Sequence, residues 1–236
     1  VASGARATFA NLRLAFLAMV ADGVGGATGG ERASAIALET ATQYVVSTLD
    51  CYDRAAAIDG SMSEALQAAA LRSHEAVLEQ ANSEGDGVRM ATTLTLWISV
   101  WPWYYLLQVG DSRYYLYREG KVTQVSRDQT IAQELLDQGV FTRAVAERSQ
   151  FKNVLSSALG GESSLPVITR LRAAWGNVHL LCTDGLTKHV TDERIAERLA
   201  AMTSAKQVCE QLLQDALDGG GTDNITIIVG RAVKRD

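Results

Sequence analysis

ATTLTLWISVWPWYYLLQVGDSRYYLYREGKVTQV, residues 91–125, decides the fold class of this chain. It is crowded with Thr, Trp, Tyr, Val and Ile, which suit a pleated, half-buried surface. Pro102 has no amide hydrogen to give to a ladder, so 91–109 reads as two strands broken near that residue. Residues 114–125 read as a hairpin turning at Glu119-Gly120. Strands that follow one another this closely argue for antiparallel pairing, because a parallel pair needs a long crossover.

Working outward, residues 13–21 form an apolar run ending at Asp22-Gly23. Residues 167–172 and 177–183 read as another pair of strands, and 225–233 as a closing strand. Helical spacing appears in blocks on either side. From Glu31 to Leu49, the residues Ala33, Ile36, Ala37, Ala41, Tyr44, Val45 and Thr48 recur on one face. A second helix covers about 63–82, and a third pair covers 191–201 and 204–218, with Thr191 as an N-cap. Blocks of helices around blocks of strands make an α+β protein with helix-covered sheets. No linker or repeat divides the chain, so residues 1–236 read as one domain. The polar stretch 126–153, with one short helix signal at IAQELLDQ, interrupts the strands and reads as a surface flap.

Composition narrows the class. A net charge of −5 offers no basic footprint for nucleic acid or an anionic membrane. The three cysteines, Cys51, Cys182 and Cys209, are too few and scattered for a disulfide framework or a zinc site, which favours a reducing, cytoplasmic setting. The longest apolar run, about ten residues, is too short to span a bilayer, and no secretory leader pattern is present. Known nucleotide and nucleophile motifs fail in turn. GGATGGER has no Walker lysine, Thr28 takes the last glycine place of GxGxxG, and there is no GxSxG elbow.

Carboxylates carry the chemistry. Asp22 follows LAFLAMVA, Asp184 follows VHLLCT, Asp223 follows GGGT before NITIIVG, and Asp111 sits in VGDSR between two strands. Each stands at a strand end, so neighbouring strands can bring them to one rim. Two unit charges about 4 Å apart repel by roughly 4 kcal/mol at an effective dielectric of about 20. Such a cluster needs shared protons, cationic side chains or bound cations. An all-oxygen donor set favours Mg²⁺ or Mn²⁺ over zinc, and paired ions of this kind support in-line hydrolysis of a phosphate ester.

In order, DGVGG (22–26), ATT (91–93), GDSR (110–113), TIAQELLDQGVFT (130–142), NVLSSALGG (153–161), TDG (183–185) and GTDN (221–224) resemble the motifs of the metal-dependent protein phosphatases of the 2C type, bacterial branch. The resemblance implies a four-layer αββα sandwich of two antiparallel sheets flanked by helices. It implies hydrolysis of phosphoserine and phosphothreonine in protein substrates, opposed by a Ser/Thr kinase, through a water activated by two Mn²⁺ or Mg²⁺ ions, with a third ion in some members. By position, Asp22 bridges the two ions, the Gly23 carbonyl reaches one of them, Asp184 and Asp223 hold the first, and Asp111 is the candidate for the third. Asp22 and Asp184 are thereby the catalytic residues, and Arg6 is the expected anchor of the substrate phosphate.

Two departures from the family pattern stand out. An acidic triplet that helps to hold the second ion falls here on Phe9-Ala10-Asn11, which has no carboxylate. Either Asp22, Gly23 and waters hold that ion alone, or residues are missing after Thr8, or catalysis is weakened. The last case gives the alternative reading, a degenerate member acting as a phosphoprotein-binding or regulatory module. At the position where some members carry a histidine, Val24 stands instead, leaving protonation of the leaving group to water. A phosphohydrolase acting on small molecules is the third reading. Arg113 is expected to pair with a nearby acid, Cys182 to be strand core, and His74 to be a surface or packing residue.

Overall fold

The computed structural model describes the backbone at residues 2–8, 14–24, 27–52, 58–85 and 87–234, and side chains at 15–24, 29–48, 62–85 and 87–234. In chain order the strands are β1 (Ala2–Thr8), β2 (Leu14–Val20), β3 (Gly23–Val24), β4 (Ala91–Thr92), β5 (Leu94–Val100), β6 (Trp103–Val109), β7 (Arg113–Arg118), β8 (Lys121–Gln124), β9 (Val167–Arg172), β10 (Val178–Cys182) and β11 (Ile227–Arg231). The helices are α1 (Ala27–Tyr52), α2 (Ile58–Ser83), α3 (Ile131–Asp137), α4 (Arg143–Arg148), α5 (Asp184–Thr187), α6 (Asp192–Ala200) and α7 (Ala205–Asp218).

The segment 91–125 supplies β5 and β6 to one sheet and β7 and β8 to the other. The first sheet runs β1-β2-β5-β6-β9 and the second β11-β10-β7-β8, with every pairing antiparallel. β9 and β10 were read as a pair, but they do not pair with each other: β9 edges the first sheet on β6, while β10 is central in the second. The sequence reading also lacked β1, the two-residue pair β3-β4, and the one-turn helices α4 and α5.

Helices cover both outer faces. The small residues Ala33, Ala37 and Ala41 of α1 and Ala69 and Ala70 of α2 are fully buried with Leu66, Val77, Leu96 and Ile98, so two helices pack closely on each other and on the first sheet. Ser73, buried between them, gives its hydroxyl to the Ala69 carbonyl at 2.8 Å and so leaves no unmet donor. On the opposite side Ile195, Leu199, Val208 and Leu212 of α6 and α7 bury against Leu180 and Cys182 of the second sheet. Cys182 is strand core, as its apolar run implies.

Between the sheets lie Val20, Leu106, Tyr114 and Leu181, with Trp97 partly buried against them. Trp97 meets Tyr104 at 5.3 Å and His179 at 4.6 Å between ring centroids, and the Tyr114 hydroxyl lies 2.8 Å from His179 Nδ1. Burial depresses the His179 pKa to about 3, so this ring is a neutral part of the interface. The aromatic run thus packs as core and cross-strand pairs, except that Trp101 stacks on Trp175 at the surface.

The glycines after Asp22 solve a packing problem. A Cβ on Gly23 would lie 2.0 Å from the Gly30 carbonyl oxygen, and one on Gly30 would lie 2.8 Å from the Gly23 carbonyl carbon. Only glycine at both places lets β3 pass against the first turn of α1.

Candidate metal centre

The two sheets end their strands on a common rim, and the aspartates stand there. Asp22 leaves β2 with its backbone pinned to the start of β5. Its N–H donates to Thr93 Oγ1 at 3.0 Å, and its carbonyl accepts from the Thr93 N–H and the Thr92 hydroxyl, both at 2.9 Å. The Thr93 hydroxyl lies 2.7 Å from that of Ser112, whose carbonyl accepts from Thr95 at 2.8 Å. Asp111, the neighbour of Ser112, is thereby tied to the same frame as Asp22.

The second sheet contributes the other two. Asp184 opens α5 directly after β10. Thr183 links it to the strand beside it, because its N–H donates to the Thr226 carbonyl and its hydroxyl accepts from the Thr226 N–H, each at 3.1 Å. That hydroxyl also donates to the Asn224 carbonyl at 3.2 Å, beside Asp223. Gly185 packs on the same place: a Cβ there would meet the Asn224 oxygen at 2.2 Å. Asn224 itself acts as a turn residue, giving its N–H to Asp223 Oδ1 at 2.8 Å.

The electrostatics follow from this convergence. Burial, then the charge of Asp184 and a hydrogen bond with it, then Asp223, push the Asp22 pKa up to about 7. Burial, then Asp184, Asp128 and Asp22, push Asp111 to about 7. Asp223 goes the other way, held below the usual range by its hydrogen bond to Lys188. Lys188 Nζ lies 2.6 Å from Asp223 Oδ2 and 2.7 Å from Asp184 Oδ2. The other Asp184 oxygen, Oδ1, is buried with no hydrogen-bond partner.

Among the described residues no three His, Cys, Asp or Glu side chains form a ready ligand cage. Lys188 bridges Asp184 and Asp223 on one side, while Asp22 shares a hydrogen bond with Asp184 on the other. The donors nonetheless fit hard divalent cations. They are all oxygen, they repel one another, and an orphaned buried carboxylate oxygen stands among them. Asp22, Asp184 and Asp223, with Asp111 beside them, are the residues that would hold such ions.

The sign of the titration gives one expectation. Asp22 and Asp111 bind protons more tightly in the folded chain than at their ordinary value of 3.8, so folding loses stability as pH rises toward about 7. His179 works in the opposite sense, but only below its ordinary value of 6.5. In a chelator, thermal stability is therefore expected to fall between pH 6 and pH 8. Added Mn²⁺ is expected to raise the melting temperature more at pH 8 than at pH 6, read by calorimetry at both values.

Of the other expected site residues, Gly23 lies at the rim and the backbone of Arg6 does not. Gly23 pairs with Thr92 directly after Asp22, so its backbone lies at the rim. Arg6 pairs with Phe16 in β1, six residues along the strand from Asp22. At about 3.3 Å a residue that is about 20 Å, so the register does not bring the Arg6 backbone to the carboxylates. The Arg6 side chain and the triplet Phe9-Ala10-Asn11 lie outside the described residues. His74 is a packing residue whose Nδ1 accepts from the Gly160 N–H at 2.9 Å, and Arg32 pairs with Glu84.

The segment 126–153 leaves and returns at this rim. Gln129 is bound twice to Gly110, through its N–H at 3.1 Å and its Oε1 at 2.6 Å. Thr130 bridges to Leu155 and Leu159 to Thr92, which closes the base. Arg113 pairs with an acid as expected, and its partner is Asp128 at the root of this segment. The guanidinium takes Asp128 through Nε at 2.9 Å and Nη2 at 2.7 Å, and Tyr115 Oη through Nη1 at 2.9 Å. Lysine cannot reproduce that fork. Arg113→Lys is therefore expected to cost about 1–3 kcal/mol in urea unfolding and to expose 126–153 to proteolysis.

Sequence reasoning missed the residues that hold the ligands: Thr92, Thr93, Ser112, Thr183 and Lys188. The available signals were small hydroxyl residues beside each aspartate and the four-residue spacing from Asp184 to Lys188, which stacks two side chains over one helical turn.

A two-sheet sandwich with helices on both faces and a carboxylate cluster on one rim defines the class, an αββα protein with an acidic rim. The chain matches the family model described as Protein phosphatase 2C over residues 7–219, and it belongs to that family. It is 36% identical over 220 residues to the serine/threonine protein phosphatase PstP of Mycobacterium tuberculosis, covering 93% of this chain and 41% of that protein, so it spans about two fifths of that relative's length. The serine/threonine phosphatase stp of Listeria monocytogenes (strain EGD-e) is 30% identical over 221 residues, covering 93% of this chain and 84% of that one. A crystal structure of the mycobacterial PstP/Ppp superposes with a TM-score of 0.81 at 30% identity, over 99% of this chain and 98% of that one. The PstP catalytic domain in complex with two manganese ions gives 0.75 at 30% identity, over 99% and 97%. The αββα expectation agrees with the fold seen here.

Proposed function

We propose that this chain is a metal-dependent protein phosphatase that hydrolyses phosphoserine and phosphothreonine esters in proteins modified by a Ser/Thr kinase. The observation that carries the reading is the meeting of Asp22, Asp111, Asp184 and Asp223 at one rim, with Asp184 Oδ1 buried and unpartnered. Asp22, Asp184 and Asp223, with the Gly23 carbonyl, would hold two Mn²⁺ or Mg²⁺ ions, and Asp111 a third. When bound, such ions lower the pKa of a water and offset phosphoryl charge. That PstP has been solved with two manganese ions supports the choice.

The chain's own residues orient and exclude. Thr92 and Thr93 fix the backbone of Asp22, Thr183 fixes that of Asp184, and Ser112 holds the turn carrying Asp111. Segment 126–153, rooted at Gly110 through Gln129, stands at the rim where it governs which phosphorylated chain reaches the carboxylates. We read residues 1–236 as one catalytic domain. We also place it in the cytoplasm, since Cys182 and Cys209 are free and no helix among the described residues is long and apolar enough to cross a membrane.

The test is hydrolysis of a phosphothreonine peptide across a manganese titration, beside a nucleotide and a sugar phosphate. Manganese-dependent release of phosphate from the peptide is expected. Peptide binding without turnover at saturating manganese would replace this reading with the regulatory one, and a preference for the small molecules would replace it with the third.

A further inference from the structure

Lys188 is the unassigned cation of this site. Its backbone N–H caps the one-turn helix α5 on the Asp184 carbonyl at 2.8 Å, which sets it one turn after Asp184. Its ammonium then bridges the two carboxylates that the second sheet contributes, at 2.7 Å and 2.6 Å. On the first-sheet side of the cluster, Asp22 faces another acid, Asp184.

We propose that Lys188 is a tethered competitor for the divalent cation at Asp184 and Asp223, and that it sets the cation affinity of the centre. The proposal rests on the reading of those residues as metal ligands. An ammonium and a divalent ion cannot both take the same carboxylate oxygens at hydrogen-bonding range without strong repulsion. Lysine can yield its place, because its charge rides on a flexible four-carbon stem and its side chain is 27% exposed, leaving a way to solvent. Its ammonium is held by both aspartates at salt-bridge distance, so a cation arriving there meets a positive charge already in place. The lysine keeps the acidic rim tolerable when cations are scarce, and it raises the cation concentration needed to fill the site.

The experiment is isothermal titration calorimetry of Mn²⁺ into the chelator-stripped chain, with Lys188→Met, Lys188→Gln and Lys188→Arg, and folding checked by circular dichroism. Removing the charge is expected to tighten Mn²⁺ binding about tenfold, the effect of one nearby charge on one carboxylate. Lys188→Arg, which keeps the charge, is expected to stay close to wild type. Unchanged or weaker binding in the folded Met and Gln variants overturns the proposal, and weaker binding shows that Lys188 instead pre-arranges the ligands. If the unaltered chain takes up no Mn²⁺, the metal reading itself fails, an outcome distinct from equal affinities in all four proteins. The Gln variant keeps length and polarity, so the answer does not depend on whether the Met variant folds.

Discussion

Asp184→Asn is expected to lower kcat on a phosphothreonine peptide by more than about 100-fold, beyond what loss of a mere outer-shell partner of a metal site costs. Asparagine keeps the shape and can still hydrogen-bond Asp22, but it offers a cation one neutral oxygen in place of a carboxylate. Asp184 is the hub of the cluster, since its charge acts on both Asp22 and Asp111 and its Oδ2 takes Lys188. Stability should move the other way from activity. Removing one of several mutually repelling charges relieves Asp22 and Asp111, so in a chelator the melting temperature is expected to hold or rise, by about 2–4 °C if the relief is about 1 kcal/mol. Calorimetric uptake of Mn²⁺ should weaken in parallel with kcat. Activity within tenfold of wild type at saturating manganese would remove Asp184 from the centre.

The second large effect is steric. Gly185→Ala places a methyl 2.2 Å from the Asn224 carbonyl oxygen, a backbone atom with no rotamer to yield. The loop carrying Asp223 must back away from Asp184, and overpacking of this kind costs about 1–3 kcal/mol. Because the displaced loop carries a ligand, Mn²⁺ affinity should fall as well, by about 10–100-fold. Gly230→Ala is the control, since its new methyl meets nothing within 4 Å and the expected change is within about 0.5 kcal/mol. Equal melting temperatures for the two variants would show that the Asn224 contact is slack.

The parts of this molecule that were legible in the sequence are those with local patterns. The strands of 91–125, the aspartates at strand ends and the long helices all announce themselves through alternation, breakers or helical spacing. What stayed hidden depends on pairing across the chain. β3 and β4 have two residues each, too few to show alternation, and α5 has four, too few for a period. Arg113 finds Asp128 fifteen residues away because β7 and the root of the flap meet in space. Arg6 rested on the family resemblance alone; the β1-β2 register pairs its backbone with Phe16, and its side chain lies outside the described residues. The spacing from Asp184 was the one local sign of Lys188; its bridge to Asp223 depends on a loop thirty-five residues away.

The rim has a mechanical meaning as well. Asp22 hangs from the first sheet, Asp184 and Asp223 from the second, and Asp111 from the turn where the chain crosses between them. Ions held among them would be a rivet through both plates. Its grip and the alignment of the plates then become one variable. A change in the Trp97, Tyr104 and His179 interface, between the plates, would register at the rivet as altered spacing.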